Sequence, residues 1–332
     1  MNKTDIIALK QIDGIGDKSL FKIIESGHEV LDLTSMDEKE LGQFIMGSRK
    51  KIAIKTLQNN FLEEQQAAER LLEDLNDNGM DITTFWDPNY PVLYKLIENP
   101  PVFLYSKGDI SLLNHQDNIA IVGTRKCTDQ GRKIALMTAS HFAEQGFNIV
   151  SGLALGIDTA AHQGALKASG KTTAILVDVL EIYPEENKGL AEEIIDQGGL
   201  LVAENPPGTP AIGGMFVARD RLQSGLSLGV FPIETNVTGG TMHTVGFAEG
   251  QDRLLFCPDL DVSTNYPPGS PGSQGVKMLI REKRAEKYTK KDYDTILKKL
   301  SNKKSGLFPG EGDAAEDKGP QIQTDFLNEL DF

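Results

Sequence analysis

The chain has 332 residues and a mass of 36.3 kDa, more than the roughly 100–200 residues of a typical single domain, so more than one structural unit is expected. Hydrophobic residues make up 39% of the chain and charged residues 25%, which excludes collagen-like, coiled-coil and disulfide-stabilised miniature proteins. The 34 lysines and arginines against 48 aspartates and glutamates give a net charge of −14, so any nucleic-acid site must be a local basic patch.

The first 82 residues are predicted to form a helical domain. Apolar residues recur at helical spacing from Ile6 to Ile12 and from Leu20 to Ile24, on either side of a turn that contains Gly14 and Gly16. This pair resembles a helix-hairpin-helix unit, whose exposed backbone N–H groups can hold a DNA phosphate. Close packing of two helices is the interpretation that we favour, because the hairpin stands alone in an acidic segment.

A second domain is predicted over residues 83–260, where the composition shifts to proline, tyrosine and tryptophan. Short apolar runs alternate there with segments of helical length and period, which predicts an α/β fold with a mainly parallel sheet and helices on both faces. The predicted strands lie at 102–106, 118–123, 147–152, 172–177, 200–204, 228–233 and 253–257. Ligands of such sheets bind outside the carboxyl ends of the strands.

Three segments follow the second domain. Residues 261–275 are predicted to be a linker rich in Pro, Gly and Ser. Residues 276–304 are predicted to be a basic helical segment, with eleven lysines or arginines against four acids. Residues 305–332 are predicted to be an acidic flexible tail. Its final motif, DFLNELDF, resembles the tips with which bacterial single-strand-binding proteins dock into basic pockets, although a merely solubilising terminus is the commoner outcome for such a composition.

Glycines follow three of the predicted strands, at points where helices are expected to begin. The first group is Gly123-Thr124-Arg125, the second contains Ser151, Gly152 and Gly156, and the third is Gly239-Gly240-Thr241. Glycine lets an anion approach backbone N–H groups, a helix N-terminus adds partial positive charge, and arginine matches the geometry of a phosphate. The three junctions therefore predict one anion site at a single edge of the sheet.

Further candidates for this site lie between the second and third junctions. Lys188 follows an aromatic residue in Tyr183-Pro184-Glu185-Glu186-Asn187, and Arg219 and Arg221 flank an acid. Tyr183 and Phe216 could stack on nucleobases. The alternative for the two arginines is that they form ordinary ion pairs. Asp158 is expected to be a helix N-cap, with His162 one turn later as its partner.

Several familiar catalytic and metal-binding patterns are missing. No Walker A, H-E-x-x-H, G-x-S-x-G or complete G-x-G-x-x-G motif occurs, and the two cysteines, Cys127 and Cys257, have no zinc-ligand spacing. We therefore predict no catalytic residue, no metal and no cofactor. The N-terminus lacks a secretion signal and no apolar run could cross a membrane, so a cytoplasmic protein without membrane contact is expected.

The motifs between Asp87 and Pro258 resemble, in order, those of the DprA/Smf (DNA-processing protein A) family. They are AIVGTRKCTDQGRK, IVSGLALGIDTAAHQGAL, the YPEEN segment, AENPPGTP and RDRLQSGLS. The resemblance implies an extended Rossmann-like domain that binds single-stranded DNA and forms a homodimer. It also implies a protein that helps load a RecA-type recombinase during DNA uptake or recombination, not an enzyme.

The resemblance also assigns roles to individual residues. It implies that Arg125, Ser151, Gly152 and Lys188 line the DNA phosphate pocket. Arg219 and Arg221 correspond to an R-N-R box, in which this chain has an aspartate at the middle position.

One departure from the family pattern supports an alternative function. The loop that begins at Gly239-Gly240-Thr241 weakly resembles the G-G-x-G-T loop of the nucleotide phosphoribohydrolases called LOG proteins. In that alternative, a nucleotide-binding or nucleotide-hydrolysing protein, Glu234 or Glu249 would assist glycosidic cleavage.

Overall fold

The structure, a computed structural model, describes residues 1–262, 266–267 and 269–308. The chain divides into two compact units, one comprising Met1–Thr84 and the other beginning at Phe85. Among the described residues, no helix is both long and apolar enough to span a bilayer. The predicted tail falls mostly outside the described residues, which end at Phe308.

The first unit is built from helices around a small aliphatic core and ends in a strand that the sequence analysis did not predict. Fully buried side chains of this core include Ile7, Leu20 and Leu57. The elements are α1 (Lys3–Gln11), α2 (Asp17–Glu25), α3 (Val30–Ser35), α4 (Glu38–Leu41), α5 (Lys50–Asp77) and β1 (Met80–Thr84).

The turn between α1 and α2 is packed against the start of α5. Gly14 has a φ of +100°, and a Cβ atom there would lie 2.8 Å from the carbonyl oxygen of Arg49. The side chain of Arg49 in turn pairs with Asp13 at 2.6 Å. This close approach explains why glycine is needed at the turn, and it favours the packing interpretation of the hairpin.

The second unit is an α/β sandwich, which confirms the predicted fold class. Its strands are β2 (Phe103–Gly108), β3 (Asn118–Val122), β4 (Asn148–Ser151), β5 (Thr172–Leu176), β6 (Leu200–Ala203), β7 (Gly229–Pro232), β8 (Leu254–Pro258) and β9 (Glu286–Tyr288). Its helices are α6 (Val92–Lys95), α7 (Asp129–Glu144), α8 (Ile157–Lys167), α9 (Lys188–Asp196), α10 (Gly213–Gly225), α11 (Thr241–Gly250), α12 (Pro271–Arg281) and α13 (Tyr293–Leu307).

The strands of this unit follow the order β2-β6-β5-β4-β3-β7-β8-β9. The pairs from β6 to β9 are parallel, and β2 runs antiparallel to β6. Successive strands from β3 to β6 extend the sheet in one direction, whereas β7 returns to the other side of β3. The strand order therefore reverses between β3 and β7, and this is where doubly wound sheets bind ligands.

Helices α7 and α8 pack closely on one face of the sheet because small residues line their contact. A Cβ atom at Gly164 of α8 would lie 2.4 Å from the carbonyl oxygen of Leu136 and 2.8 Å from the Cβ of Ala139. Beneath α7, the rings of Phe142 and Phe231 are 5.2 Å apart. Both phenylalanines belong to one buried hydrophobic cluster that also includes Ile121 of β3 and Ile149 of β4.

The region from 261 to 304 differs from the predicted linker and continuous basic segment. Helix α12 begins at Pro271, and strand β9 extends the sheet by pairing with β8, with Phe256 opposite Glu286. Leu300 of α13 is fully buried. A three-residue strand with two charged residues gives no alternation from which it could be predicted. Three lysines of α13 pair with acids of the same unit, namely Lys299 with Glu286, Lys303 with Asp252 and Lys304 with Asp117.

Candidate functional site

A cavity of about 760 Å³ lies at the reversal of strand order, beyond the carboxyl ends of β3 and β7. Seven predicted site residues line it, namely Gly123, Thr124, Arg125, Arg219, Gly239, Gly240 and Thr241. A second cavity of about 900 Å³ shares Arg125 and Arg219 with the first, and Gly152 and Lys188 also line it. The loops after β3, β4 and β7 therefore meet at one edge of the sheet.

The loop of Gly123, Thr124 and Arg125 is fixed by backbone contacts on both sides. The N–H of Thr124 donates to the carbonyl of Glu234 at 2.8 Å, and the N–H of Ile157 donates to the carbonyl of Thr124 at 3.3 Å. Gly156 lies beneath the loop with a φ of +86°, and a Cβ there would come within 2.5 Å of the Thr124 oxygen. Gly156 thus supports the loop from below.

Arg125 and two aromatic residues form a stack at the mouth of the cavities. The guanidinium of Arg125 lies over the ring of Phe216, 5.7 Å from its centroid, and the rings of Phe216 and Tyr183 are 5.3 Å apart. Arg125 is exposed, and 53% of Tyr183 is accessible. The stack therefore presents to solvent a cation for phosphate and an aromatic face for a base.

A buried arginine lies between two carboxyl groups deeper in the site. Arg219 is only 7% exposed, donates to the carbonyl of Ile175 at 2.8 Å and lies 3.7 Å from a carboxylate oxygen of Asp220. Burial raises the pKa of Asp220 to about 6, against the opposing charge of Arg219. Burial likewise raises the pKa of Asp158 to about 6, and Arg219 again opposes it. Both carboxyl groups line the first cavity.

The charges around the two cavities are mixed. The first cavity is lined by Arg125, Lys126 and Arg219 against two carboxyl groups, and Lys188 borders the second. Three exposed glutamates also border the second cavity: Glu181, Glu185 and Glu186. The cationic part of the site is therefore the Arg125 side, where the two cavities meet.

Two predicted site residues have their polar groups bound elsewhere. Ser151 is fully buried, and its hydroxyl donates to the carbonyl of Ile121 at 2.6 Å. Arg221 makes two bonds to Glu204, at 2.9 and 2.5 Å, as well as one to the carbonyl of Asn99. Arg221 thus has the ion pair that the alternative interpretation expected.

Asp158 is not the N-cap of α8, and His162 is not its partner, contrary to the expectation from the sequence. Gly156 is the N-cap of α8, and Asp158 instead accepts a bond from the N–H of Gly152 at 3.1 Å. His162 lies 2.7 Å from the hydroxyl of Thr172. Burial lowers the pKa of this histidine to about 3, and the charge of Arg219 adds to the shift.

Asn187 positions the loop after β4, a role that the sequence analysis did not assign to it. Its buried side-chain amide donates to the carbonyl of Leu153 at 2.7 Å and to the hydroxyl of Thr159 at 2.9 Å. Leu153 has a φ of +59°, which is unfavourable for a leucine. The only sequence signal for this role is that the asparagine follows an aromatic residue and a proline at a junction between elements.

The two glutamates proposed for glycosidic cleavage are engaged away from the cavity. Glu234 is fully buried and accepts bonds from the N–H and the hydroxyl of Thr128, at 2.9 and 2.5 Å. Glu249 forms a two-point ion pair with Arg284, at 2.7 and 2.8 Å. Neither side chain lines the first cavity, and within the described residues no cluster of potential metal ligands occurs.

A family model and curated relatives agree on one family for this chain. A family model described as DNA recombination-mediator protein A matches residues 81–301. DNA processing protein DprA of Bacillus subtilis is 33% identical over 210 residues, which cover 63% of this chain and 70% of that protein. Protein Smf of Synechocystis is 37% identical over 191 residues, or 56% of this chain and 48% of that protein.

Two solved structures have similar folds. DNA processing protein A of Streptococcus pneumoniae superimposes with a TM-score of 0.69 at 27% identity, covering 87% of this chain and 95% of that one. DNA processing protein A of Helicobacter pylori superimposes with a TM-score of 0.57 at 28% identity, covering 66% and 97% of the two chains. The Helicobacter structure was described for its mode of binding single-stranded DNA.

Proposed function

The chain belongs to the DNA recombination-mediator protein A family, and on that premise we propose that it binds single-stranded DNA at the carboxyl edge of its sheet in support of DNA recombination. The observation that carries the proposal is the stack of Arg125, Phe216 and Tyr183 at the meeting point of two cavities. Single-stranded DNA is held by backbone cations together with aromatic faces on which bases stack. The stack offers both.

The path of the bound DNA strand follows from the residues around the stack. One phosphate meets Arg125 and the backbone of the Gly123–Arg125 loop, and the next nucleotide extends toward Lys188. Gly240 and Thr241, at the start of α11, supply backbone N–H groups on the opposite wall of the first cavity, whereas the N–H of Gly239 donates to the carbonyl of Asn236 at 3.3 Å. Ser151 and Arg221 take no part in this path because their polar groups have partners within the protein. Gly152 and Gly156 contribute by leaving room.

The test compares Arg125→Ala with Arg132→Ala, a matched exposed arginine on α7 that does not line either cavity. Binding of a labelled oligothymidine is measured at several salt concentrations. Arg125→Ala is expected to weaken binding about tenfold and to reduce the slope of log affinity against log salt by about 0.7, the value for one single-strand phosphate contact. Equal salt slopes in the two variants would exclude Arg125 from the interface.

The wider biological role is also a proposal. A cytoplasmic homodimer that loads a RecA-type recombinase onto the bound strand follows from the family resemblance. In such a role we expect the protein to accelerate recombinase assembly on DNA already covered by single-strand-binding protein. The homodimer is tested separately, by sedimentation of the protein alone. Unchanged assembly kinetics in its presence would contradict the loading role. The proposed docking of the tail in the manner of single-strand-binding proteins concerns residues outside those described.

A nucleotide-hydrolysing alternative has one favourable observation, the lining of the first cavity by Gly239, Gly240 and Thr241. Its proposed carboxylates, Glu234 and Glu249, are bound to Thr128 and Arg284 instead. We therefore assign binding without a catalytic step. Incubation with nucleoside monophosphates is expected to release no free base, and release of base would favour the enzyme.

A further inference from the structure

The first cavity has, besides its glycine loops, a polar wall. Arg219, Asp220 and Gln223 of α10 line the cavity, as does Asp158 near the start of α8. Its volume of about 760 Å³ lies within the roughly 300–1,000 Å³ that is typical of sites for small organic molecules. The cavity is therefore large enough to enclose the base of a nucleotide as well as to contact its phosphate.

Side chains of this wall carry hydrogen-bonding groups that the protein does not use. Gln223 is only 2% exposed, its amide nitrogen donates to a carboxylate oxygen of Asp220 at 2.9 Å, and its amide oxygen has no partner within the described residues. The buried Nε of Arg219 likewise lacks a hydrogen bond in the described part of the chain. Buried polar groups without partners are rare in folded proteins, so this wall is suited to a polar ligand.

Asp220 supplies the strongest acceptor of the wall. Its hydrogen bond from Gln223 and its 3.7 Å contact with Arg219 both use Oδ1, and they are its only bond and ion pair among the described residues. The side chain is 15% accessible. The carboxylate can therefore accept further hydrogen bonds from a ligand in the cavity, and a guanidinium group lies directly beside it.

A carboxylate beside a guanidinium matches the edge of one nucleobase. Guanine presents two adjacent donors, N1–H and the 2-amino group, next to the acceptor O6. A carboxylate accepts from two such donors at once, and arginine donates to O6. Thymine instead presents one N–H between two carbonyl oxygens, which a carboxylate repels. Adenine and cytosine each present one amino group beside an acceptor nitrogen.

We infer that the first cavity encloses one base of the bound strand and selects guanine, with Asp220 as the residue that determines the specificity. The inference rests on the proposed function, because this base belongs to the strand whose phosphate meets Arg125. The Asp220 carboxylate accepts from N1–H and the 2-amino group, and the guanidinium of Arg219 lies beside O6. Gln223 is a positioning residue, since its amide holds the carboxylate.

The first test compares a short oligothymidine with the same strand carrying one central guanine. Binding is measured at pH 7.5, above the pKa of about 6 to which burial raises Asp220. The wild type is expected to bind the guanine strand about tenfold more tightly, as a two-point contact with a base allows. A strand with hypoxanthine, which lacks the 2-amino group, should have an intermediate affinity. Strands with one adenine or one cytosine should stay within about threefold of oligothymidine.

Asp220→Asn tests whether this residue reads the base. The amide matches the carboxylate in size, so the fold is retained, but its single oxygen cannot accept from both donors of guanine in the same way. The variant is expected to bind the guanine and thymine strands within about twofold of each other. Its affinity for oligothymidine should not fall, because thymine loses only a repelling charge. A structural defect would instead weaken both ligands.

The matched control is Asp196→Asn. It removes the same charge from an exposed residue at the end of α9 that lines neither cavity. This variant is expected to keep the full preference of the wild type for guanine. A preference lost equally in both variants would show a general effect of net charge and would overturn the role of Asp220.

Failure of the inference differs from failure of the proposed function. Equal affinity of the wild type for the thymine and guanine strands would overturn the guanine specificity and leave DNA binding intact. A preference for guanine that Asp220→Asn retains would also overturn the inference, because another residue would then read the base. Absence of binding to every strand, oligothymidine included, would overturn the proposed function and this inference with it.

Discussion

Asp220 places a carboxyl group between Arg219 and Arg221, where the family resemblance leads us to expect an amide. Its side chain accepts a bond from Gln223 at 2.9 Å and borders the cavity where DNA is proposed to bind. Because burial raises the pKa of both Asp220 and Asp158 to about 6, the charge of this wall changes between pH 5 and pH 7. The residue therefore makes the affinity for a polyanion depend on pH.

We predict that single-stranded DNA binds more tightly as the pH falls from 7.5 to 5.5. Above pH 6 both carboxyl groups are ionised and repel phosphate, whereas below pH 6 both are neutral, so affinity rises, by about tenfold. Asp220→Asn should bind more tightly at pH 7.5 and lose about half of the pH dependence on a logarithmic scale. Fluorescence anisotropy at constant ionic strength measures both effects.

The control for this pH dependence is His243→Gln, which removes an imidazole that interacts with Asp220. The difference between Asp220→Asn and its parent should persist in the His243→Gln background. If the two proteins then show the same pH profile, the titrating group is not Asp220.

Asn187→Ala tests the support of the loop after β4. Removing the amide leaves the buried carbonyl of Leu153 without this donor, and the positive φ of Leu153 loses its restraint. We expect the free energy of unfolding to fall by about 1–3 kcal/mol and DNA affinity to fall at the same time. Urea denaturation and oligothymidine binding measure the two quantities. Gln197→Ala changes an exposed amide at the opposite end of α9 and should alter stability by less than about 0.5 kcal/mol.

Two glycine-to-alanine changes in helices should have opposite effects on stability. At Gly164 of α8 a Cβ would clash with Leu136 and Ala139 of α7, so Gly164→Ala is expected to cost about 1–3 kcal/mol. At Gly246 of α11 nothing lies within 4 Å of the same atom, and Gly246→Ala should stabilise by up to about 1 kcal/mol. Thermal unfolding compares the two. A stabilised Gly164→Ala variant would contradict the tight contact between α7 and α8.

The elements with strong local patterns could be predicted from the sequence. Strand β3 and the glycine junction after it follow from a short apolar run that ends in glycine, and the mainly parallel sheet to which it belongs follows from the alternation of such runs with helices. The strand β9 could not be predicted, because its three residues gain their stability from pairing with β8 rather than from their own pattern.

The parts of the site that escaped prediction depend on contacts distant in sequence. Ser151 follows the same strand-to-glycine pattern as the other junctions, yet the register of β4 beside β3 brings its hydroxyl to Ile121. Arg221 meets Glu204 only because α10 passes the end of β6. Local sequence indicates that polar groups gather at this edge, whereas the strand register decides which of them keep a free donor.

At the scale of the whole molecule, the candidate DNA site belongs to the second unit. We therefore predict that Leu20→Ala, a fully buried change in the first unit, lowers stability by about 2–5 kcal/mol while DNA affinity stays within twofold. Binding is measured at a temperature where both proteins are folded. A large loss of affinity would assign part of the interface to the helical unit.

The carboxylate of Glu234 has a consequence for how fast and how firmly a ligand is held. It fastens the start of α7 to the end of β7, while the backbone of the same residue holds Thr124. The loops after β3 and β7, which border the first cavity, are thus fixed before an oligonucleotide binds. The protein therefore loses little conformational entropy on association. Most of the conformational entropy lost on binding is then that of the nucleic acid. The entropy of binding should therefore differ between purine tracts, which are stiffer and already stacked, and more flexible pyrimidine tracts.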